Sequence, residues 1–164
     1  MPLHTIPPVW DADCCVLILG SFPSVRSRET GFFYGHPQNR FWRVLAAVYG
    51  EETPVSVPEK TALLLRRHLA LWDVVASCEI DGSADGSIRQ TIPNDIAPLL
   101  AAAPIRFVFT NGMTADRLYR RYLLPVSHIP AVPLPSTSPA NAAWSPARLT
   151  DAWRAVRAAS ESDL

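Results

Sequence analysis

The 164-residue sequence has no excess of charge of either sign, because 15 basic residues balance 15 acidic ones. A domain held on nucleic acid by its overall charge is usually clearly basic, so this balance disfavours such a protein but leaves room for a local basic patch. The sequence also lacks an apolar run long enough to span a membrane and a signal-peptide pattern. We therefore expect a cytoplasmic protein without a membrane partner.

Cysteine is scarce, with only Cys14, Cys15 and Cys78 present. Their spacing forms neither a disulfide framework nor a zinc or iron–sulfur motif, and we expect buried, reduced thiols. The four histidines, at positions 4, 36, 68 and 128, are not paired at metal-ligand spacing. We therefore predict that the protein uses no metal and no other cofactor.

Three common catalytic motifs are also missing. The sequence has no phosphate loop with Lys-Ser or Lys-Thr, no G-x-S-x-G elbow and no G-x-G-x-x-G after its first apolar run. A serine hydrolase that pairs a serine with His36 or His128 stays open as an alternative, but no pattern supports it.

Short apolar runs alternate with helical patterns along the chain. The runs at 14–19 and 105–110 end at glycine or Asn-Gly, which is typical of strands buried on both faces. The alternation predicts a single domain over residues 1–164, an α/β protein with three α/β/α layers and a short, mainly parallel central sheet. Weaker strands are predicted at 71–76 and 129–134, and helices at 41–49, 58–70, 113–122 and from Pro146 onward with Ser145 as N-cap.

Polar segments follow the predicted strands at 20–24, 77–83 and 135–141. Ligands of an open parallel sheet collect beyond the carboxyl ends of its strands, so we expect these segments to form one site. The segment 135–141, PSTSPAN, offers three hydroxyls and an amide, which suit contacts to a phosphate backbone. A tight connection into the last helix explains this segment equally well.

Two spaced motifs resemble those of the uracil-DNA glycosylase superfamily. The first is GSFPS at 20–24 leading into YGHPQNRFW at 34–42, and the second is LPSTSPAN at 134–141. Within that superfamily the sequence is most similar to the hypoxanthine-DNA glycosylase, or DNA-deoxyinosine glycosylase, branch. The resemblance covers most of the chain, including 71–78 and Asn111-Gly112, and implies a uracil-DNA glycosylase-like fold.

The resemblance also implies a DNA-repair enzyme. A monomer would flip a damaged base out of double-stranded DNA and hydrolyse its N-glycosidic bond without metal or covalent intermediate, leaving an abasic site. By the same resemblance, Asn39 is the catalytic residue, and its side-chain oxygen would accept a hydrogen bond from the attacking water. Tyr34 would stack on the base, and Asp73 would accept from an N–H of hypoxanthine.

Two of these roles have plainer alternatives. Asn39 would also suit the N-cap of a helix beginning at Arg40, and Asp73 would suit a helix cap or an ion pair. Arg26, Arg28 and Arg40 are candidates for local positive charge. The full prediction places the base against Gly20, Ser21, Phe22, Pro23, Tyr34, His36 and Asp73, and the DNA against Ser24, Ser136, Thr137, Ser138, Pro139 and Asn141.

The sequence departs from the uracil enzymes at two places. Phe22, or Ser21 with a one-residue shift, stands where classical and mismatch-specific enzymes carry a catalytic Asn or Asp, and Leu134 replaces the histidine that opens their late loop. We therefore expect hypoxanthine as the substrate. The alternatives are a mismatch-type uracil-DNA glycosylase and a non-catalytic nucleic-acid-binding module on the same fold; Asn39 favours an enzyme.

Overall fold

The computed structural model describes residues 6–79 and 89–162. Its centre is a four-stranded parallel sheet, and a second, antiparallel pair of strands lies beside it. The strands are β1 (Val16–Gly20), β2 (Leu69–Asp73), β3 (Val75–Glu79), β4 (Arg89–Pro93), β5 (Phe107–Asn111) and β6 (Ala131–Leu134). The helices are α1 (Val25–Thr30), α2 (Phe41–Tyr49), α3 (Val57–Arg66), α4 (Ala97–Ala102), α5 (Met113–Tyr122), α6 (Leu124–Ser127) and α7 (Pro146–Ser160).

The central sheet has the strand order β2-β1-β5-β6, and helices cover both of its faces. Successive side chains of β1 point to opposite faces, so alternate residues enter two different cores. Val16 and Ile18 pack with residues of α2, α3 and α7. Leu17 and Leu19 pack with residues of α4 and α5. The predicted three-layer α/β/α architecture with a mainly parallel sheet is therefore confirmed.

Several predicted elements are found where the sequence placed them. Helix α2 covers 41–49 and ends at Gly50, whose φ of 65° is in the left-handed region that favours glycine. Helix α5 covers 113–122. Helix α7 begins at Pro146, and the Ser145 hydroxyl accepts a hydrogen bond from the backbone N–H of Arg148, as an N-cap does.

The connection from α3 into β2 differs from the prediction of a helix at 58–70 and a strand at 71–76. Helix α3 ends at Arg66, and His68 turns the chain with a φ of 64°. Leu69 and Ala70 then pair with Val16 and Leu17 of β1. The sequence pattern assigned Leu69 and Ala70 to a helix, but pairing with the buried strand β1 makes them part of a strand instead.

The other end of β2 also differs. Strand β2 ends at Asp73, and the backbone N–H groups of Val74 and Val75 donate to the carbonyls of Gly20 and Ser21, which hold the chain beside the end of β1. It continues as β3, which pairs with β4 in an antiparallel ladder that the sequence did not predict. The short helices α1, α4 and α6 were not predicted either. Residues 80–83 of the predicted polar segment 77–83 lie outside the described residues. Within the described ranges, no helix has both the length and the apolar character needed to cross a bilayer.

Candidate active site

A cavity of about 300 Å³ opens at the carboxyl edge of the central sheet. Four strands contribute to it: Gly20 ends β1, Asp73 ends β2, Asn111 ends β5, and Ser136 follows β6. This volume is at the small end of the range for small-molecule sites, and its place is the usual one in parallel sheets. The lining residues are Gly20, Ser21, Phe22, Pro23, Ser24, Ser27, Phe33, Tyr34, His36, Asn39, Asp73, Asn111, Ser136, Thr137, Ser138 and Pro139.

Every residue predicted to bind the base lines this cavity. Gly20 and Asp73 are paired in the β1–β2 register, which brings the Asp73 carboxyl group beside the end of β1. A Cβ on Gly20 would lie 2.3 Å from Asp73 Oδ1 and 2.8 Å from Tyr34 Oη. Asp73 is 3% exposed and is the one acidic side chain among the described lining residues. The cavity therefore presents a buried hydrogen-bond acceptor beside an aromatic wall.

The aromatic wall of the cavity is the ring of Tyr34, which packs against the hydrophobic core. The rings of Tyr34 and Phe41 stack with centroids 4.2 Å apart and an interplanar angle of 16°. Phe41 is fully buried and packs edge-on against Trp153 of α7. Tyr34 also has a φ of 53°, a backbone strain that persists only where the surrounding structure enforces it. The packing thus fixes the Tyr34 side chain at the cavity.

Asn39 lies at the junction of the cavity and helix α2. Its Oδ1 accepts a hydrogen bond from the backbone N–H of Phe41 at 2.9 Å and another from the Thr137 hydroxyl at 3.0 Å. The helix begins at Phe41 rather than at Arg40, and Asn39 forms an Asx turn at its start. A carbonyl oxygen has two lone pairs, so both are used within the protein. The oxygen that was predicted to hold the water is therefore already paired, and the amide NH₂ is the part of Asn39 left for a ligand.

Thr137 is placed differently from the sequence prediction of a DNA contact. It is fully buried, and its hydroxyl donates to Asn39 instead of reaching the surface. Asn111 secures it from the other side: the Thr137 N–H donates to Asn111 Oδ1 at 3.1 Å, and Asn111 Nδ2 donates to Thr137 Oγ1 at 3.0 Å. Sequence reasoning did not assign Asn111 a role, although its position at the carboxyl end of a buried strand was the available signal.

The remaining part of the late segment, residues 136–141, forms a compact loop at the cavity mouth. The Ser136 hydroxyl accepts from the Ser138 N–H, the Ser138 hydroxyl accepts from the Ala140 N–H, and Asn141 Nδ2 donates to the Ser136 carbonyl. Pro139 is exposed. Ser136, Ser138, Pro139 and Asn141 are thus accessible at the surface, and their contact with DNA stays a prediction.

Arg40 joins this loop to helix α2. Its guanidinium donates to the carbonyl oxygens of Ser138 at 2.9 Å, Asn141 at 3.0 Å and Trp144, while its backbone N–H donates to the Thr137 carbonyl at 3.1 Å. The side chain is partly buried. Arg40 therefore serves as an internal clamp of the loop rather than as a freely exposed positive charge.

The first loop is organised by serine hydroxyls and by stacking. The Ser24 hydroxyl caps α1 by accepting from the Ser27 N–H at 3.1 Å. The Arg28 guanidinium lies 5.3 Å from the centre of the Phe22 ring, within the range of a cation–π contact. The exposed His36 accepts from the Gln38 N–H at its Nδ1, which shapes the turn before Asn39. Across the described residues, no three His, Cys, Asp or Glu side chains come together as metal ligands.

The fold and the cavity define a class of protein: a three-layer α/β enzyme whose carboxyl-edge cavity offers an aromatic face, a carboxyl group and an amide to a flat, polar ligand. The family follows from comparison of the whole chain. The model of the family described as "Uracil DNA glycosylase superfamily" matches residues 7–157. The chain belongs to this superfamily.

Individual relatives agree with the family match. A protein of Methanosarcina acetivorans named "Hypoxanthine DNA glycosylase" is 35% identical over 152 residues, which are 92% of this chain and 94% of the relative. A protein of the same name from Methanosarcina barkeri is 35% identical over 114 residues, 68% of this chain and 72% of the relative. A solution NMR structure of a candidate uracil DNA glycosylase from M. acetivorans has a TM-score of 0.77 at 31% identity, with 92% of this chain and 96% of that chain covered.

Proposed function

We propose that this protein is a DNA-repair glycosylase that removes hypoxanthine, the deaminated form of adenine, from DNA. The observation that carries the proposal is the single cavity in which Tyr34, Asp73 and Asn39 meet. A flat base needs a stacking surface, an N–H of the base needs an acceptor, and bond cleavage needs a polar group beside the sugar. The two relatives named hypoxanthine DNA glycosylase support the same substrate.

Entry of the base requires that it leave the double helix. The cavity is about 300 Å³, is lined by residues of loops 20–24 and 136–139, and has the buried Asp73 in its wall, so a base paired inside a duplex cannot reach it. We infer that the enzyme acts as a monomer on double-stranded DNA and flips the target nucleotide. The backbone beside the flipped nucleotide would contact Ser24 and the surface-accessible residues of loop 136–141, whose hydroxyl and amide groups bind phosphates without a large net charge.

Recognition and cleavage of the base follow from the residues around it. Tyr34 stacks on the ring, and a carboxylate oxygen of Asp73 accepts from the N1–H of hypoxanthine. As the C1′–N9 bond breaks, its electron pair goes to the base and the sugar gains oxocarbenium character. A water molecule then forms the C1′–O bond and loses a proton to solvent, and the departing hypoxanthine anion takes up a proton from solvent. An abasic site remains in the DNA. The protein contributes mainly by orienting the reactants and by stabilising charge, with Asn39 as the catalytic residue.

The residues that distinguish uracil enzymes support hypoxanthine over uracil. Phe22 lines the cavity where those enzymes place a catalytic polar side chain, and it is covered by Arg28. Leu134 is 5% exposed and packs in the core at the end of β6, so it cannot replace the histidine that contacts a leaving uracil. Excision of uracil should therefore be much slower than excision of hypoxanthine.

The test is a glycosylase assay on duplex oligonucleotides. Hypoxanthine, uracil and xanthine are each placed opposite every normal base, and alkali converts abasic sites into strand breaks. We expect cleavage at hypoxanthine, with less at uracil. Cleavage at uracil alone would contradict the substrate, and cleavage at none of the three would leave the non-catalytic binding module as the better account.

A further inference from the structure

We propose that Thr137 and Asn111 are positioning residues that fix the amide of Asn39, so that Asn39 acts on the substrate as a hydrogen-bond donor through its NH₂ group. The inference rests on the proposed glycosylase function and concerns the chemical role of one group in the cavity. It assigns the catalytic side chain the opposite polarity from a water-holding acceptor.

The polarity is set by two backbone N–H groups. A backbone N–H is always a donor, so the N–H of Thr137 requires that the atom of Asn111 it contacts be the oxygen Oδ1. The other end of the Asn111 amide is then an NH₂, which donates to Thr137 Oγ1. At Asn39, the N–H of Phe41 likewise requires the contacting atom to be Oδ1.

The Thr137 hydroxyl connects the two amides. Because it accepts from Asn111 Nδ2 at 3.0 Å, its own proton is free to point to Asn39 Oδ1, which is also 3.0 Å away. The result is a chain of donors that runs from Asn111 through Thr137 to Asn39. Rotating the Asn39 amide by half a turn would place its NH₂ against the Phe41 N–H, donor against donor, and would leave the buried Thr137 hydroxyl without an acceptor.

The consequence concerns the leaving base. Asn39 lines the cavity, and with Oδ1 committed on both lone pairs it presents its two amide hydrogens to a ligand. Hypoxanthine has acceptors at O6, N7 and N3, and these gain electron density as the C1′–N9 electron pair moves onto the ring. A donor aimed at the base lowers the energy of that transition state. This is the stabilisation that Leu134, at the position of the late-loop histidine of uracil enzymes, cannot supply.

The first experiment replaces Asn39 with an acid and varies the pH. Asn39→Asp keeps an oxygen for the Thr137 and Phe41 donors but replaces the NH₂ with a second oxygen. We expect single-turnover excision of hypoxanthine to fall about 100-fold at pH 7.5, since loss of one positioned donor has about this effect in other enzymes. A protonated carboxyl group regains a donor, so the ratio of variant to wild-type rate should rise as the pH is lowered, by up to about tenfold per unit above the pKa of the new carboxyl group.

The second experiment tests the relay itself. Thr137→Val removes the hydroxyl and keeps the shape, and we expect it to lower the single-turnover rate about 10- to 100-fold while changing KM little, as misplacement of a catalytic group does. Thr137→Ser restores the hydroxyl and should recover most of the rate. Thr110→Val is the matched control, because Thr110 is also a fully buried threonine, but its hydroxyl donates to Asp116 at 2.9 Å outside the cavity. It should lose stability and keep the rate.

The outcomes separate this inference from the proposed function. A wild-type protein that does not excise hypoxanthine overturns the proposed function and this inference with it. If the wild type excises and Asn39→Asp keeps its rate at pH 7.5, Asn39 acts through an acceptor oxygen and the inference is wrong. It is also wrong if Thr137→Val and Thr110→Val reduce the rate equally, because Thr137 then contributes only to stability.

Discussion

At Gly20, the cavity permits no side chain. The closest atoms to a Cβ placed there belong to Asp73 and Tyr34, at 2.3 and 2.8 Å, distances at which something must move. Both groups belong to the proposed base site, so glycine is required here by close approach and not by its backbone angles. The absence of a side chain is thus part of the binding geometry.

We expect Gly20→Ala to displace the Asp73 carboxyl group and the Tyr34 ring from the base. The variant should fold, because the added methyl group points into the cavity, but it should raise KM for hypoxanthine-containing duplexes at least about tenfold, or about 1.4 kcal/mol of binding. Gly31→Ala is not a suitable control because Gly31 has a φ of 77°. Ala76→Gly, outside the cavity lining, is the better one. An unchanged KM in Gly20→Ala would show that these two groups do not form the base site.

At the scale of single residues, the sequence predicted which residues line the site. It predicted less well how each side chain is used. The family resemblance identified Tyr34, Asn39 and Asp73, and all three line the cavity. The burial of Thr137 was not predictable, because the direction of a side chain in an irregular loop depends on hydrogen bonds to distant residues such as Asn111. The alternative of a helix N-cap anticipated that Asn39 Oδ1 accepts from a backbone N–H at the start of α2, but the second donor, the Thr137 hydroxyl, was not predicted, for the same reason.

Arg40 connects two elements of the structure, helix α2 and loop 136–141. Its planar guanidinium reaches three carbonyl oxygens: those of Ser138 and Asn141 in the loop, and that of Trp144 just beyond it. A planar group with five N–H donors can satisfy such a set, whereas an ammonium group is a compact point charge. The conformation of the proposed DNA-contacting loop therefore depends on one side chain at the start of helix α2.

We predict that Arg40→Lys weakens binding to DNA about tenfold or more while the protein stays folded, because the charge is kept but the loop loses its shape. Fluorescence anisotropy with a hypoxanthine-containing duplex measures the affinity. Arg43→Lys is the matched control, since Arg43 is exposed and its guanidinium donates a long hydrogen bond of 3.5 Å to the Pro37 carbonyl. Equal affinity of Arg40→Lys and Arg43→Lys would show that the loop does not need the clamp.

Elements with strong local signals were predicted well, and those held by long-range pairing were not. Helices α2, α5 and α7 carry their own glycine stop, apolar stripe or cap, and their bounds were predicted closely. Residues 69–70 continue a leucine-rich helical pattern, but the backbone partners offered by β1 make them a strand. The β3–β4 pair depends on contacts between segments about 15 residues apart, which periodicity alone does not reveal.

At the scale of the whole molecule, ion pairs join the segment after α2 to the end of α3. Glu51, just after α2, accepts from Arg66 and, at 2.7 Å, from Arg67 at the end of α3. The hydrogen bond from the Arg66 side chain is the main cause that lowers the pKa of Glu51 below its ordinary value. A folded-state pKa below the unfolded one adds stability above the unfolded pKa, which is lost as the pH falls through the folded value.

Glu51→Gln should therefore lower the free energy of unfolding by about 1 kcal/mol or less at pH 7. The difference from wild type should shrink below about pH 4.3, the ordinary pKa of glutamate, and disappear at lower pH once the wild-type carboxyl group is protonated. Urea unfolding at a series of pH values measures it, with Glu52→Gln at the exposed neighbouring position as control. A difference that stays constant down to pH 3 would rule out the ion pair as its source.

The overall architecture was predictable because it depends on a coarse pattern. Continuous apolar runs at β1 and β5, separated by amphipathic helices, specify a parallel sheet covered on both faces. The position of the cavity then follows from the direction of the strands. Net charge, by contrast, gave little information on whether the protein binds DNA. The proposed DNA contacts in loop 136–141 and at Ser24 are neutral groups, and the guanidinium of Arg40 is used inside the protein.

The amide of Asn39 is proposed to act in catalysis and not merely to start helix α2. The direct measurement is the single-turnover rate of hypoxanthine excision by Asn39→Ala, with its DNA affinity and its thermal unfolding measured on the same preparation. Loss of the Asx turn should cost only about 0.5–2 kcal/mol, so the variant should fold. We predict a rate at least about 100-fold below wild type with DNA affinity nearly unchanged; a nearly normal rate with a lowered unfolding temperature would contradict the account.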